Sequence, residues 1–324
     1  MRMSAFAFVL LLPSVGLARR DFTAPGPHAV GMTTLTFTKA SETTGAPRVL
    51  DTVIWYPAVP GTGVAGNGTD ARRDAVVARR RWPLVMFSHG SCGFPGQSPF
   101  FTAGLASWGF IVAAPPHPGN TTSEFPHCAD PPAEVDSFLN RVADIRFVID
   151  QLLAHARDPA SPFARRINPR RIGMSGHSFG GQTTLRVAAA DSRVRGAVAL
   201  APAIVAITDL RIRTPTMVFG GQLDSLTPFE TDSRGAFALL QGPRFLVEIL
   251  NTGHCGFAIL CAPLLCGRGC EPGTLPLDEA HRLTLRYAVP FFLRYVAGRG
   301  HFGKLLRPAA APSGEVVVEA RPRG

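Results

Sequence analysis

The stretch Gly176-His-Ser178-Phe-Gly180-Gly181 restricts the fold more than any other part of this chain. An apolar run, Arg171 to Met174, leads into it, and a helical pattern from Gly181 to Ala190 follows. Glycines on both sides of a serine at a strand-to-helix junction imply a sharp turn. Side chains at Gly176 and Gly180 would collide with the neighbouring strand and helix. Such a turn lifts the Ser178 hydroxyl into the open, and a helix start behind it favours developing negative charge. Ser178 is therefore the expected nucleophile, in preference to a structural turn serine.

The rest of the chain supplies the matching framework. Short apolar runs rich in Val, Ile and Phe cover Val49 to Trp55, Pro83 to Phe87, Gly109 to Ala114, Arg171 to Met174, Arg195 to Leu200, Thr214 to Phe219 and Phe245 to Leu250. Near-continuous hydrophobicity over so few residues fits strands buried on both faces. Helical patterns alternate with them: Phe100 to Ser107, Val135 to Ala156, Gly181 to Ala190, Ser233 to Leu240, and Asp278 to Val296, where Pro290 should kink the helix or start a new one. This alternation predicts a mostly parallel central sheet flanked by helices on both faces; with a G-x-S-x-G turn between a strand and a helix, it is the layout expected of an α/β-hydrolase fold. The Gly-, Ala- and Arg-rich stretch Pro60 to Arg81 reads as an exposed loop. The stretch Pro115 to Pro132 follows a strand at the end where catalytic loops gather. Glu315 to Glu319 reads as an edge strand or a loose tail.

A serine hydroxyl needs a base, and in this fold class the order along the chain is Ser, acid, His. His28, His89, His117, His127, His155 and His177 come too early or adjoin Ser178. His281 sits in a helical pattern and His301 in the tail. His254 follows the last apolar strand in Asn251-Thr-Gly-His254-Cys-Gly, the place a general base should occupy. For the acid, Asp224 follows the strand Thr216-Met-Val-Phe and two glycines. Asp191, Asp209, Glu230 and Asp232 compete. Asp191 sits in a turn, Asp209 lies farther from a strand end, and Glu230 and Asp232 look like helix-start residues. Asp224 is expected to fix the His254 tautomer and stabilise its imidazolium.

The tetrahedral intermediate needs backbone donors for its oxyanion. The Phe179 N–H, just after the nucleophile, is one candidate. The Ser91 N–H, in the loop Ser88-His89-Gly90-Ser91-Cys92-Gly93 after a strand, is the other. His89 is expected to hold that loop rather than move protons.

Composition bounds the alternatives. With 324 residues, 46% hydrophobic and 17% charged, the chain can bury one large core, and no domain boundary is evident. Residues 1–18 have the layout of a secretory signal peptide: Arg2, an apolar run Ala5 to Leu12, and Gly16-Leu17-Ala18 before Arg19-Arg20. The run is too short to span a bilayer, so residues 19–324 are expected as a secreted or periplasmic single domain, without stable membrane insertion. The net charge of +10 comes almost wholly from scattered Arg residues, with Lys only at positions 39 and 304. Nothing interleaves aromatic and basic residues, so no nucleic-acid partner is expected. Six cysteines after an export signal predict disulfides among Cys92, Cys128, Cys255, Cys261, Cys266 and Cys270, in an order the sequence does not choose. Their spacing matches no standard zinc finger or ribbon, so no metal is expected.

Several segments resemble the bacterial proteins related to platelet-activating-factor acetylhydrolase, often labelled predicted dienelactone hydrolases. They are Ile54-Trp-Tyr-Pro57, Pro83-Leu-Val-Met-Phe-Ser-His-Gly90, Leu105-Ala-Ser-Trp-Gly-Phe110, Val112-Ala-Ala-Pro-Pro-His-Pro-Gly119, Asp144-Ile-Arg-Phe-Val-Ile149 and the Ser178 elbow. The resemblance implies the α/β-hydrolase fold and ester hydrolysis. It departs in three respects. Dienelactone hydrolases use a cysteine where this chain has Ser178. The animal acetylhydrolase places its acid one strand earlier, where this chain reads Ala201-Pro202. Asp224 and His254, 46 and 76 residues beyond Ser178, are spaced as in bacterial cutinases and polyester hydrolases. Those enzymes carry aromatic clamp residues where this chain has Ser91 and Ala203, so plastic-type polyesters are not the expected preference.

The expectation is thus a Ser-His-Asp carboxylic ester hydrolase acting through an acyl-enzyme on a small-molecule or lipid ester, with no cofactor. Rival readings within the class are a cutinase-like polyesterase, a phospholipid acetylhydrolase and a chlorophyllase-like esterase. From another class comes a non-catalytic binding protein on the same fold.

Overall fold

Alternation along a single strand explains how the sheet is covered. In Trp82–Ser88, Leu84 and Met86 pack in one apolar cluster, while Val85 and Phe87 pack in another. All four are fully buried. Successive side chains of a strand point to opposite faces, so this strand is apolar on both sides and needs a helical layer over each.

The computed structural model describes residues 21–66, 69–205, 207, 210–261, 266–308 and 314–322. The expected signal peptide and its cleavage site after Ala18, and the competing Asp209, lie outside the described residues. The strands in chain order are β1 Ala29–Ala40, β2 Pro47–Ala58, β3 Val64–Gly66, β4 Thr69–Arg73, β5 Trp82–Ser88, β6 Ile111–Ala114, β7 Ile167–His177, β8 Val194–Leu200, β9 Thr216–Gly221, β10 Arg244–Ile249 and β11 Val316–Arg321. The helices are α1 Pro99–Ser107, α2 Pro131–His155, α3 Phe179–Ala190, α4 Arg234–Leu239 and α5 Leu277–Tyr295. They form one sheet in the order β11-β10-β9-β8-β7-β5-β6-β2-β1-β4-β3.

From β6 through β10 every neighbouring pair is parallel. The cluster holding Val85 and Phe87 draws in Phe101 and Leu105 of α1 and Phe291 and Phe292 of α5. The cluster holding Leu84 and Met86 draws in Ile145, Val148, Ile149 and Leu152 of α2. A third packs Leu185 of α3 and Phe237 of α4 against β8 and β9. The expected mostly parallel sheet with helices on both faces is therefore what the chain forms.

Four local features depart from the sequence reading. Strand β1 adds to the expected set; its threonines interrupt the apolar run, and it is half-exposed and antiparallel to β2 over its full length. The stretch Pro60 to Arg81, expected as an exposed loop, contains β3 and β4, which extend the sheet edge beyond β1. The last helix continues through Pro290 instead of starting again there. Every residue from Tyr287 to Leu293 is buried, and that packing offsets the hydrogen bond a proline removes. Finally, a π turn, Phe229–Ser233, precedes α4. The tail supplies β11, an antiparallel edge strand on β10.

Candidate active site

The turn between β7 and α3 carries Ser178 at φ 58°, ψ −119°, in the left-handed region that non-glycine residues rarely enter. Backbone crowding explains the glycines. A Cβ on Gly180 would lie 1.9 Å from the Ser88 carbonyl oxygen, and one on Gly176 would lie 2.3 Å from that of Gly180. The Ser178 N–H donates to the Leu200 carbonyl, 2.9 Å, which ties the turn to β8. The loop after β5 comes close in front: a Cβ on Gly90 would sit 3.3 Å from that of Ser178.

His254 and Asp224 come from loops after β10 and β9, two neighbouring strands ending on the same side. His254 Nδ1 lies 2.8 Å from Asp224 Oδ2. The carboxylate also accepts from the N–H groups of Leu226 and Thr227, both at 2.9 Å, and from the Thr227 hydroxyl at 2.9 Å. Burial would raise the Asp224 pKa, but these bonds and the facing imidazole outweigh it and hold the carboxyl below its usual range. Asp224 is thus an anion at neutral pH that orients the His254 ring.

Ser178 and His254 line one cleft of about 450 Å³, together with Ser91, Phe179, Ala203 and Gln182. Its apolar wall comes from Val135 and Phe138 of α2, and from Val205 and Leu226. Ser91 and Phe179 thus line the same cleft as Ser178. Hydrogen bonds hold the Ser91 side chain: its hydroxyl donates to Glu134 Oε1, 2.8 Å, and accepts from Asn120 Nδ2, 3.2 Å.

The competing carboxylates are elsewhere. Asp191 pairs with Arg193 at 2.7 Å, beyond the end of α3. Asp232 accepts from the Ile204 N–H at 3.1 Å, and Glu230 pairs with Arg234 at 2.7 Å. His281 stacks on Phe100 with centroids 3.6 Å apart.

Sequence reasoning missed the buried supports. His177 Nε2 donates to the His254 carbonyl, 3.0 Å, while its Nδ1 accepts from Gln97 Nε2, 2.6 Å. Gln97 Oε1 in turn accepts from the Gly90 N–H, 2.9 Å. Burial pushes His177 down to about 3, so it stays neutral and keeps this donor–acceptor pattern. One chain of bonds therefore ties the loop after β5 to the loop bearing His254. His89 holds its own loop: Nδ1 donates to the Gly90 carbonyl, 2.8 Å, and Nε2 accepts from the His117 N–H, 3.1 Å. Disulfides stiffen both loops. Cys92 pairs with Cys128, Cys255 with Cys266, and Cys261 with Cys270.

The chain is similar to several known proteins. The profile of the PET hydrolase-like family matches residues 101–260, and that of platelet-activating factor acetylhydrolase, isoform II, matches residues 40–148. Cutinase 2 of Thermobifida cellulosilytica is 27% identical over 150 residues, 46% of this chain and 51% of that protein. Cutinase est1 of Thermobifida alba is 28% identical over 172 residues, 52% of each. Lipase 1 of a Moraxella species is 29% identical over 150 residues, 46% of this chain and 41% of that protein. The chain thus spans about half the length of the curated relatives it matches. Among solved structures, a ferulic acid esterase from Streptomyces cinnamoneus superposes with a TM-score of 0.68 at 25% identity, covering 92% of this chain and 98% of that one.

Proposed function

We propose that this chain, an α/β-hydrolase of the platelet-activating-factor acetylhydrolase and cutinase type, is a serine carboxylic ester hydrolase. The observation that carries the reading is the 2.8 Å contact of an anionic Asp224 with His254, in a cleft that His254 shares with the strained Ser178. His254 takes the Ser178 proton as the hydroxyl attacks the ester carbonyl. The N–H groups of Ser91 and Phe179 receive the oxyanion. His254 then protonates the leaving alcohol, leaving Ser178 acylated. Water repeats the sequence with His254 again as base, and the acid departs. The residues needed are all in the chain, and no cofactor enters.

The cleft fits an ester with a modest apolar part. Val135, Phe138, Val205 and Leu226 offer aliphatic and aromatic wall. Ser91 and Ala203 line the same cleft with small side chains, which supports soluble esters over aromatic polyesters. Three disulfides support an oxidising compartment, so secretion or a periplasmic location goes with this reading. No helix among the described residues is long and apolar enough to cross a membrane.

The test is hydrolysis of a series of soluble p-nitrophenyl esters of increasing chain length, beside methyl ferulate, a short-acyl phospholipid and a polyester film. Turnover of the soluble esters that is lost in Ser178→Ala supports the reading. Equal turnover in that variant, or none with any ester, overturns it.

A further inference from the structure

Behind the loop after β5 lies a set of buried polar side chains that the ester chemistry above does not use. Its centre is Arg141 of α2, whose side chain is wholly buried. All five guanidinium N–H donors are engaged. Nε donates to Ser137 Oγ at 2.8 Å; Nη1 donates to the His89 carbonyl at 2.5 Å and to Ser88 Oγ at 3.2 Å. Nη2 donates to Asn120 Oδ1 at 2.5 Å and to the Gly90 carbonyl at 3.1 Å. Not one of these acceptors is a carboxylate. The guanidinium carbon also lies 4.3 Å from the centroid of the Phe179 ring.

A charge buried on these terms is costly, because uncharged acceptors repay its desolvation less well than an ion pair would. Its neighbours on the helix, Ile145 and Val148, fill the core with apolar side chains, and packing alone would be served by another. The place where the donors converge suggests a role. The Gly90 carbonyl oxygen accepts from three groups: His89 Nδ1 at 2.8 Å, Arg141 Nη2 at 3.1 Å and the Gly93 N–H at 3.3 Å. That carbonyl belongs to the same planar peptide as the Ser91 N–H. In a trans peptide the two point in opposite directions, so fixing the oxygen fixes the aim of the N–H.

We propose that Arg141 is the positioning residue of the oxyanion hole: it anchors the Gly90–Ser91 peptide so that the Ser91 N–H faces the cleft, and it sets a fixed positive charge behind both oxyanion donors. The inference rests on the ester-hydrolase reading. Preorganised dipoles of this kind act where charge develops, without reorganising at the moment of reaction. Burial lowers the Arg141 guanidinium to about 9, which leaves it charged at neutral pH.

A buried relay holds the guanidinium in turn. The Ser88 hydroxyl donates to His117 Nε2 at 2.9 Å, and His117 Nδ1 donates to Asp144 Oδ2 at 3.1 Å. The lone pairs of Ser88 Oγ then remain free to accept from Arg141. Asp144 is shared with Arg48 at 2.9 Å. Ser88, His117 and Asp144 repeat the order of nucleophile, base and acid, yet each is 0% exposed, so no ester reaches Ser88. Their geometry orients Arg141 instead.

Arg141→Met and Arg141→Lys test this, with turnover of a short p-nitrophenyl ester expressed per active site titrated by a fluorophosphonate. In Arg141→Met, kcat per titrated site should fall about 30- to 100-fold while KM stays within about threefold. Affinity for an alkyl trifluoromethyl ketone, which forms an oxyanion on Ser178, should weaken in the same proportion. Arg141→Lys, which keeps the charge but reaches fewer acceptors, should fall between, and it decides the question if the Met variant does not fold. A folded variant with wild-type kcat per site, or a loss confined to KM or to the fraction of titratable sites, overturns the proposal. Failure of the wild type to react with the phosphonate would refute the ester-hydrolase reading instead.

Discussion

Thr227 Oγ1 lies 3.0 Å from His254 Nδ1 and 2.9 Å from Asp224 Oδ2, so one hydroxyl spans the acid–imidazole contact. It also reaches the Ala201 carbonyl at 3.2 Å, at the end of β8. The acid and the base are thus held by a third side chain as well as by each other.

That arrangement ranks two substitutions. Asp224→Asn keeps the shape but lets His254 adopt the wrong tautomer, and kcat should fall by about 10⁴-fold. Thr227→Val removes one hydrogen bond to the carboxylate and leaves the charge. Its kcat should fall only about 3- to 10-fold, in line with a single hydrogen bond. Steady-state assays of both variants check the order; a Thr227→Val effect as large as that of Asp224→Asn would contradict it.

Buried histidines set the acid limit of stability. Burial is the leading cause that lowers His89, His117, His177 and His281, with His177 held to about 3 and His281 to about 4. In the unfolded chain each returns to the ordinary value of 6.5. Below that pH the unfolded state therefore binds more protons, and folding stability is lost as pH falls. Asp224 acts in a lower window: its contribution is complete above its unfolded value of 3.8 and disappears only as pH falls through its depressed folded value. Urea midpoints should be level between about pH 7 and 8 and fall steeply below about 6, with net protons taken up on unfolding near pH 5. Equal midpoints at pH 7 and 5 would contradict this.

The disulfide Cys255–Cys266 closes a loop with a sequence separation of 11 right after His254. In the chain-entropy account a loop of that size stabilises the fold by about 3 kcal/mol. The double variant Cys255→Ser/Cys266→Ser should unfold at lower urea by that measure. It should also lose kcat, because Cys255 directly follows His254, whose carbonyl accepts from His177 Nε2. Unchanged stability and kcat would show that the tether does not support the loop.

Crowding at the turn gives a sharper result. Gly180→Ala puts a methyl 1.9 Å from the Ser88 carbonyl oxygen, which is backbone and cannot swing aside. Gly96→Ala is a control, because its nearest neighbour is the flexible Phe94 ring at 3.3 Å. Gly180→Ala should be inactive or insoluble, while Gly96→Ala retains at least half of wild-type turnover.

How much of this was legible in the sequence depended on how local each signal is. Buried parallel strands such as β5 and β8 are continuous apolar runs, and they stand out. Strand β1 did not, because one of its faces meets solvent and its threonines blur the period. Ser178, Asp224 and His254 each follow an apolar strand within a short glycine-bearing loop, so chain order suffices to propose them. Arg141, His117 and Gln97 carry no such mark. Their partners lie up to 80 residues away, and only folding brings them together. A faint signal existed: Arg141 and Asp144 fall on the stripe that Ile145, Val148, Ile149 and Leu152 mark as buried, where a charge must have a reason.

In the proposed reaction Ser178 is a nucleophile activated by His254. Intact-mass analysis after incubation with a fluorophosphonate, followed by peptide mapping, tests it most directly. One adduct per chain is expected, on Ser178, absent from Ser178→Ala and formed far more slowly in His254→Ala. No adduct on the folded wild type, or an adduct on another residue that survives in Ser178→Ala, would contradict it.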